Sequence, residues 1–324
     1  MSVRFFYKIL FFFFFLVSSF CEEDQSLFFA FVKGDIASKT VAVRASTGAV
    51  AEKLSELSLD FCIQNAALLP NDRELSALAV ASVLAVPKEK IPLFSDRFVS
   101  VFALFNDDTV RSSILERLSL SVFDPNVRQK TISLVGVCFD EDIFFGAKCL
   151  SVIKNSEGAK KFPDFCAELA ENALFHVIDY VKEHENGVDS RAIALQLSSL
   201  SALSEAEWTR AADLVAMNFS LSVDELYRSI LDDNQFAEVC ALSSKIPSSK
   251  IALALSDCLA SFNSAKEKSD DSFLPSEQVL LAVINALGVL GDKAAFDNLL
   301  YATYLGYSEE VVASAREALS KLKW

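Results

Sequence analysis

The sequence predicts an all-α fold, an α-α superhelix of antiparallel helix pairs behind a cleavable signal peptide, on three observations. Only 9 glycines and 7 prolines occur in 324 residues, which suits helices joined by short links and argues against a β chain that turns every ten residues. Apolar residues recur at three–four spacing along most of the chain, the mark of helices with one buried face. A segment near the C-terminus repeats at a fixed offset, as stacked helical units do. With 52% apolar residues the chain has a large core to bury, which excludes disorder.

The leader comes first. "MSVRFFYKILFFFFFLVSSFCEED" has a basic start at Arg4 and Lys8, an apolar run from Ile9 to Val17, small residues at Ser18 and Ser19, and acid immediately afterwards. That is the layout of a secretory signal peptide over residues 1–21, and the run is short for a membrane span. Three processed ends are open, a cut after Ser19, a cut after Cys21, or lipidation of Cys21, with an uncleaved anchor as the residual case. For lipidation, "LVSSFC" resembles a bacterial lipoprotein box, with Phe20 where a small residue is usual. The mature chain is then one helical-repeat domain over 22–324, exported and either periplasmic or envelope-associated.

Along that domain, residues 26–45 read as a hairpin around Lys33-Gly34-Asp35 or a first helical unit, with helix preferred. Helices follow at 47–68, 72–86, 90–105, 107–118, 124–135, 140–153, 163–183, 189–202, 205–218, 222–232, 235–244, 248–262, 276–290, 292–306 and 308–322. Pro70, Pro125, Pro163, Pro247 and Pro275 fall at boundaries, where proline is tolerated, while Pro87 and Pro92 leave the 86–92 junction open. "KNSEGAKK" (154–161), "KEHENGVDS" (182–190) and "NSAKEKSDDS" (263–272) read as interruptions, the last as a flexible insertion.

Repetition is clearest between "SEQVLLAVINALGVL" (276–290) and "SEEVVASAREALSKL" (308–322), 32 residues apart. Ser276/Ser308, Glu277/Glu309, Val279/Val311, Ala286/Ala318, Leu287/Leu319 and Leu290/Leu322 are identical. Each copy opens on a serine able to cap the first turn, followed by glutamate at the positive end of the helix dipole. Upstream, "DDTVRSSILERL", "DPNVRQKTISLV" and "DEDIFFGAKCLSVI" place Val110, Val127 and Ile143 at steps of 17 and 16. Two such steps make one C-terminal period to within a residue.

"INALGVLGDKAAFDNLL" followed by "SEEVVASAREALSKL" resembles HEAT repeats of the short bacterial kind, in which an Ala-Leu-Gly-x-Leu-Gly-Asp turn joins successive helix pairs. The match covers 276–322 and lacks the usual Val-Arg pair, which stands instead at Val110-Arg111 and Val127-Arg128. The resemblance implies a right-handed solenoid in which Gly288, Gly291 and Asp292 form a structural repeat turn. A phosphate loop needs a strand before its glycines, whereas here a helix is expected on both sides.

Charge and chemistry narrow the function. Removing residues 1–21 takes two basic and no acidic residues, so 28 Lys and Arg face 44 Asp and Glu, and the net charge moves from −14 to −16. Such a surface repels nucleic acid and anionic headgroups, so membrane contact is expected only through an anchor at Cys21. Cys62, Cys138, Cys149, Cys166, Cys240 and Cys258 are widely spaced and mostly flanked by apolar residues, which favours core thiols, with one or two disulfides as the alternative.

The histidines, in "HVIDYVKEHENG", put His176, Asp179 and Glu183 on one helix face. Eight residues separate His176 from His184, about 11–12 Å by helix rise, too far to share one ion unaided. Packed His176 and solvated His184 is the better reading. No nucleophile elbow, Walker loop or dinucleotide fingerprint occurs, so no catalytic residue, metal or cofactor is expected. Of 28 phenylalanines, 8 lie in the leader; those in "FFAF" (28–31), "RFVSVFALF" (97–105) and "IFFG" (143–146) are core, or in part the lining of a hydrophobic groove. The resulting expectation is a non-enzymatic scaffold that presents a helical-repeat surface to a protein partner. Its alternative is a solenoid-shaped carrier of a hydrophobic ligand, or an enzyme with a site near His176 and His184.

Overall fold

The computed structural model describes residues 22–184, 187–269 and 274–323. The leader, with Arg4, Lys8 and the candidate lipidation residue Cys21, lies outside the described residues. Among those described, sixteen α-helices and four short 3-10 turns form and no strand does; one isolated parallel bridge joins Asp292 and Lys323.

The described chain falls into two compact units, one running to Leu134 and taking in Asn155–Ala159, the other comprising Val135–Lys154 and Lys160 onward. The first contains α1 (Glu22–Lys33), α2 (Ile36–Ala45), α3 (Gly48–Asn65), α4 (Arg73–Ala85), α5 (Ile91–Leu104) and α6 (Asp108–Ser119). Helix α7 (Pro125–Glu141) contributes to both units. The second holds α8 (Ile143–Lys154), α9 (Pro163–Glu183), α10 (Ser190–Glu205), α11 (Ala212–Tyr227), α12 (Asp233–Ser243), α13 (Ser249–Lys268), α14 (Glu277–Leu290), α15 (Phe296–Ala302) and α16 (Glu309–Ser320).

Within each unit a helix packs chiefly on the next and the next but one. In the first this makes one layer of α1, α3 and α5 against a second of α2, α4 and α6. In the other, α9, α11, α13 and α15 face α8, α10, α12, α14 and α16. The helices are therefore packed in pairs, each pair closing its apolar face on its neighbours. Phe98, Phe102, Phe165, Phe219, Phe236 and Phe262 are among the largest fully buried side chains, each stabilising by about 1.5–3 kcal/mol.

Acidic residues start many of these helices, which gives part of the negative charge a local cause. The carboxylates of Asp35, Asp72, Asp107, Asp124, Asp142, Asp189 and Asp232 accept first-turn backbone N–H groups at 2.7–2.9 Å, satisfying donors that no helical carbonyl reaches. At the other ends, basic side chains close three helices of the first unit. Lys39 Nζ donates to Phe31 O (2.6 Å) and Gly34 O (2.7 Å) at the end of α1, Arg111 Nε to Phe105 O (2.9 Å) after α5, and Arg117 to Val86 O after α4. Cations belong at these negative helix ends. Arg111 is half of the Val110-Arg111 pair noted in the sequence.

Residues 26–45 form a helix pair, the preferred of the two readings, with Gly34 and Asp35 in its turn. Several boundaries differ from the sequence expectation. In place of the expected helices 205–218 and 222–232 a single helix, α11 (Ala212–Tyr227), runs through the expected break, where Asn218 Oδ1 and Ser222 Oγ both meet Gln196 Nε2 and Ser222 Oγ–H donates to Asn218 O. The expected insertion 263–272 is helical in its first part: α13 continues to Lys268 because Asn263 Nδ2 donates 2.9 Å to Asn298 O and Ala265 is buried; residues 270–273 lie outside the described residues. Asp140, expected to open a helix, ends α7, and Asp142 caps α8. Cys62, Cys138, Cys149, Cys240 and Cys258 are buried as thiols and Cys166 is partly buried, so the disulfide alternative is not taken up. Burial pushes the Cys62 and Cys258 thiols up to about 12, far from the range in which a thiolate attacks.

Candidate functional site

The turn "ALGVLGD" closes α14. Gly291 is left-handed (φ +64°), and its N–H donates 2.9 Å to Leu287 O. A Cβ there would stand 2.8 Å from Lys321 O, and one on Gly288 3.1 Å from Ala318 Cα and Cβ, so both glycines let α16 and its C-terminal extension pass close. Gly291 O accepts Lys323 N–H at 2.8 Å. The Asp292 carboxylate accepts Ala294 N–H (2.9 Å) and Ser249 Oγ–H (2.5 Å), and these bonds hold it below its ordinary value. The polar groups of this turn are thus engaged by the protein itself, as in a joint between helices and unlike a phosphate cradle.

The two histidines do not converge. The His176 ring stacks on Phe139 (5.3 Å, 12°), meets Phe175 edge-on (5.5 Å), and its Nε2 lies 3.9 Å from Asp140 Oδ1. His184 stacks on Tyr180 at 4.0 Å, with Nδ1 2.9 Å from Tyr180 O. Among the described residues, no three His, Cys, Asp or Glu side chains are placed to hold a metal.

The phenylalanine clusters divide. Phe28, Phe31, Phe98, Phe102 and Phe105 are buried, Phe144 and Phe145 are partly so, and Phe29 is exposed. Gly146 lies so close under Phe139 that a Cβ would meet its ring at 2.3 Å. Most of these phenylalanines are therefore core, the first of the two expectations.

A polar cluster not singled out in the sequence lies between α10 and α11. Gln196 Nε2 is 3.0 Å from Asn218 Oδ1, 3.2 Å from Ser222 Oγ and 3.1 Å from Glu225 Oε2, and all four residues are fully buried. An amide has two hydrogens for these three acceptors. Gln196 Oε1, Asn218 Nδ2 and Glu225 Oε1 make no hydrogen bond. Desolvation raises the Glu225 carboxyl above its ordinary value, against hydrogen bonds from Gln196 and Ser222 and the charge of Arg228. Its signal in the sequence is the i, i+4, i+7 run of polar residues at 218, 222 and 225, which the split into two helices concealed.

Ile193, three residues before Gln196 on α10, and Arg228, just past the end of α11, line an open pocket of about 560 Å³ with Gly187, Val188, Ser190, Ser229, Ile230 and Gln235. It has the size of a small-molecule site.

A different feature marks the layer of α9, α11 and α13. Phe175, Met217 and Leu253 are each about half exposed, one on each of three helices packed in succession. Lys182 Nζ lies 3.7 Å from Met217 Sδ, and Lys250 pairs with Asp213 across α11 and α13, so charged groups flank these side chains.

No family model, curated protein or solved structure matches this chain.

Proposed function

We propose that the chain is a non-enzymatic scaffold, exported to the cell envelope, that presents a helical-repeat surface to a protein partner. The observation that carries this reading is the half-exposed trio Phe175, Met217 and Leu253 on successive helices of one layer. Isolated exposed hydrophobes are ordinary. Large apolar groups on adjoining helices, with Lys182, Lys250 and Asp213 beside them, have the make-up of an interface core with a polar rim. Stacked helix pairs of the HEAT kind offer extended surfaces of this type, and the acidic charge favours a partner with a basic face. Export rests on the leader, and Cys21 is the candidate residue for a lipid anchor.

The test is affinity purification of the tagged full chain from an envelope fraction, beside a Phe175→Ser, Met217→Ser, Leu253→Ser variant. A stoichiometric protein held by the wild type and released by the folded variant supports the reading; equal retention, or no protein at all, overturns it. Fatty-acid labelling of the wild type against Cys21→Ser reads the anchor.

A further inference from the structure

Arg97, Arg191 and Arg210 pair with carboxylates, and Arg111 and Arg117 reach main-chain carbonyls. Arg228 does neither. Its guanidinium makes no hydrogen bond or ion pair among the described residues, in a chain with an excess of acid. It lines the pocket of about 560 Å³ where α10 begins, α11 ends and α12 begins, and its charge bears on buried Glu225, three residues earlier.

The other polar groups of this pocket are uncommitted as well. Gln235 turns Oε1 to the N–H of Asp232 at 3.0 Å in the capping box of α12, which leaves its Nε2 hydrogens unused among the described residues. The hydroxyls of Ser190 and Ser229 line the pocket without a hydrogen bond to any described residue. Ser229 stands at φ +57°, left-handed, at a helix end where glycine is usual, while Ile230 N–H closes α11 on Glu225 O at 2.9 Å. A side chain kept in so unfavourable a conformation, beside unused donors, is the kind of outlier from which a binding role is inferred. Val188, Ile193 and Ile230 supply a branched aliphatic wall.

We propose that this pocket binds a small organic monocarboxylate that carries a hydrogen-bonding group and a short branched aliphatic body, the make-up of an N-acylated amino acid. The planar guanidinium fork of Arg228 matches a carboxylate with two parallel hydrogen bonds. Charge sets the limit at one. Arg228 is the single cation among the residues that line the pocket. At the starts of α10 and α12, Asp189 and Asp232 are engaged by Arg191 and by Gln235 N–H, so nothing there neutralises the second charge of a dianion. The serine hydroxyls and the Gln235 amide serve a ligand amide, and Val188, Ile193 and Ile230 take the aliphatic part. The volume falls in the range of small-molecule sites.

The test is calorimetric titration of the full chain with N-acetylleucine, beside N-acetylleucinamide, which lacks the charge, and N-acetylglycine, which lacks the aliphatic group. Expected is saturable one-to-one binding of N-acetylleucine, at least about tenfold tighter than either analogue. Arg228→Gln should weaken it at least about tenfold with circular dichroism unchanged. Ser229→Gly removes the hydroxyl and supplies the residue that favours a left-handed backbone, so it should weaken binding about two- to tenfold with the melting temperature kept or raised. That variant separates a lost contact from a lost fold. No saturable binding up to millimolar N-acetylleucine overturns the proposal. So does binding that Arg228→Gln leaves intact, equal binding of N-acetylleucinamide, or inorganic phosphate competing as well as N-acetylleucine. Loss or retention of the envelope partner in the Phe175, Met217 and Leu253 variant bears on the scaffold reading alone.

Discussion

Gln196 Nε2 lies 3.1 Å from Glu225 Oε2, and neither side chain is exposed to solvent. Burial favours the neutral form of a carboxyl, and at Glu225 it outweighs the hydrogen bonds from Gln196 and Ser222 and the charge of Arg228; the other contacts of Gln196, to Asn218 and Ser222, leave its amide no spare hydrogen. Protonation of Glu225 removes an uncompensated negative charge from the buried cluster. Its value in the folded chain is raised above the ordinary 4.5, so its contribution to stability is full below that point and is lost as pH rises through the folded value. Glu225→Gln should match the wild type in urea at low pH and become progressively more stable than it as pH rises. Parallel stability curves would show that Glu225 does not titrate there. Gln196→Leu removes the hub and should cost about 1–3 kcal/mol.

The basic closures of helix ends predict a different pattern. Arg111 is 7% exposed, and its Nε serves Phe105 O; Lys39 serves two carbonyls at once. Replacing either with Met keeps the apolar stem and leaves buried carbonyls unpaired, at about 1–3 kcal/mol each. Hydrogen exchange should locate the loss, with faster amides at the α5–α6 corner for Arg111→Met and at the α1–α2 turn for Lys39→Met. Uniform acceleration over the first unit would instead mean that these residues support its core as a whole.

Those closures mark the limit of what is legible in the sequence. Helices 276–290 and 308–322 are readable because their starts are local: Ser276 and Ser308 each accept the N–H of the residue three ahead, Val279 and Val311, at 3.3 Å. Asn218 and Ser222 resemble a break because the partner that makes them acceptable inside a helix, Gln196, lies more than twenty residues upstream. Likewise Asn263 reads as loop until Asn298 O is placed beside it, and Tyr307 Oη reaches back to Phe262 O at 3.1 Å. Periodicity shows which face is buried; it does not show which polar groups on that face find one another. At the candidate surfaces the same limit holds: the pattern "FFAF" does not separate buried Phe28 and Phe31 from exposed Phe29.

At His176 the expectation is tolerance. Its pairing with Asp140, 71% exposed at the side chain, spans 3.9 Å, and such surface pairs contribute about 0–1 kcal/mol. The stack on Phe139 is the larger interaction. His176→Phe should therefore keep stability within about 1 kcal/mol of wild type, while His176→Ala, which loses the stack, should cost about 0.5–1.5 kcal/mol more. Melting curves with added Zn²⁺ and with chelator should coincide for all three proteins. A zinc-dependent rise in the wild type that vanishes in His176→Phe would restore a metal role.

The repeat turn carries the sharpest stability prediction. Gly291 is left-handed, which costs about 1–2 kcal/mol for a residue with a Cβ, and that Cβ would stand 2.8 Å from the backbone oxygen of Lys321. Gly291→Ala should thus lose more than the conformational term alone. Gly48 separates the two effects. It has φ +56° with nothing within 4 Å of an added Cβ, so Gly48→Ala should show the conformational cost by itself. Gly288→Ala meets α16 at 3.1 Å without a left-handed backbone and must push that helix outward. In both Gly288→Ala and Gly291→Ala the Lys323 amide, bonded to Gly291 O at 2.8 Å, should exchange faster than in wild type, and in Gly48→Ala it should not. If Gly291→Ala and Gly48→Ala cost the same in urea, the turn is held by backbone conformation alone and the close passage of the C-terminal segment contributes nothing.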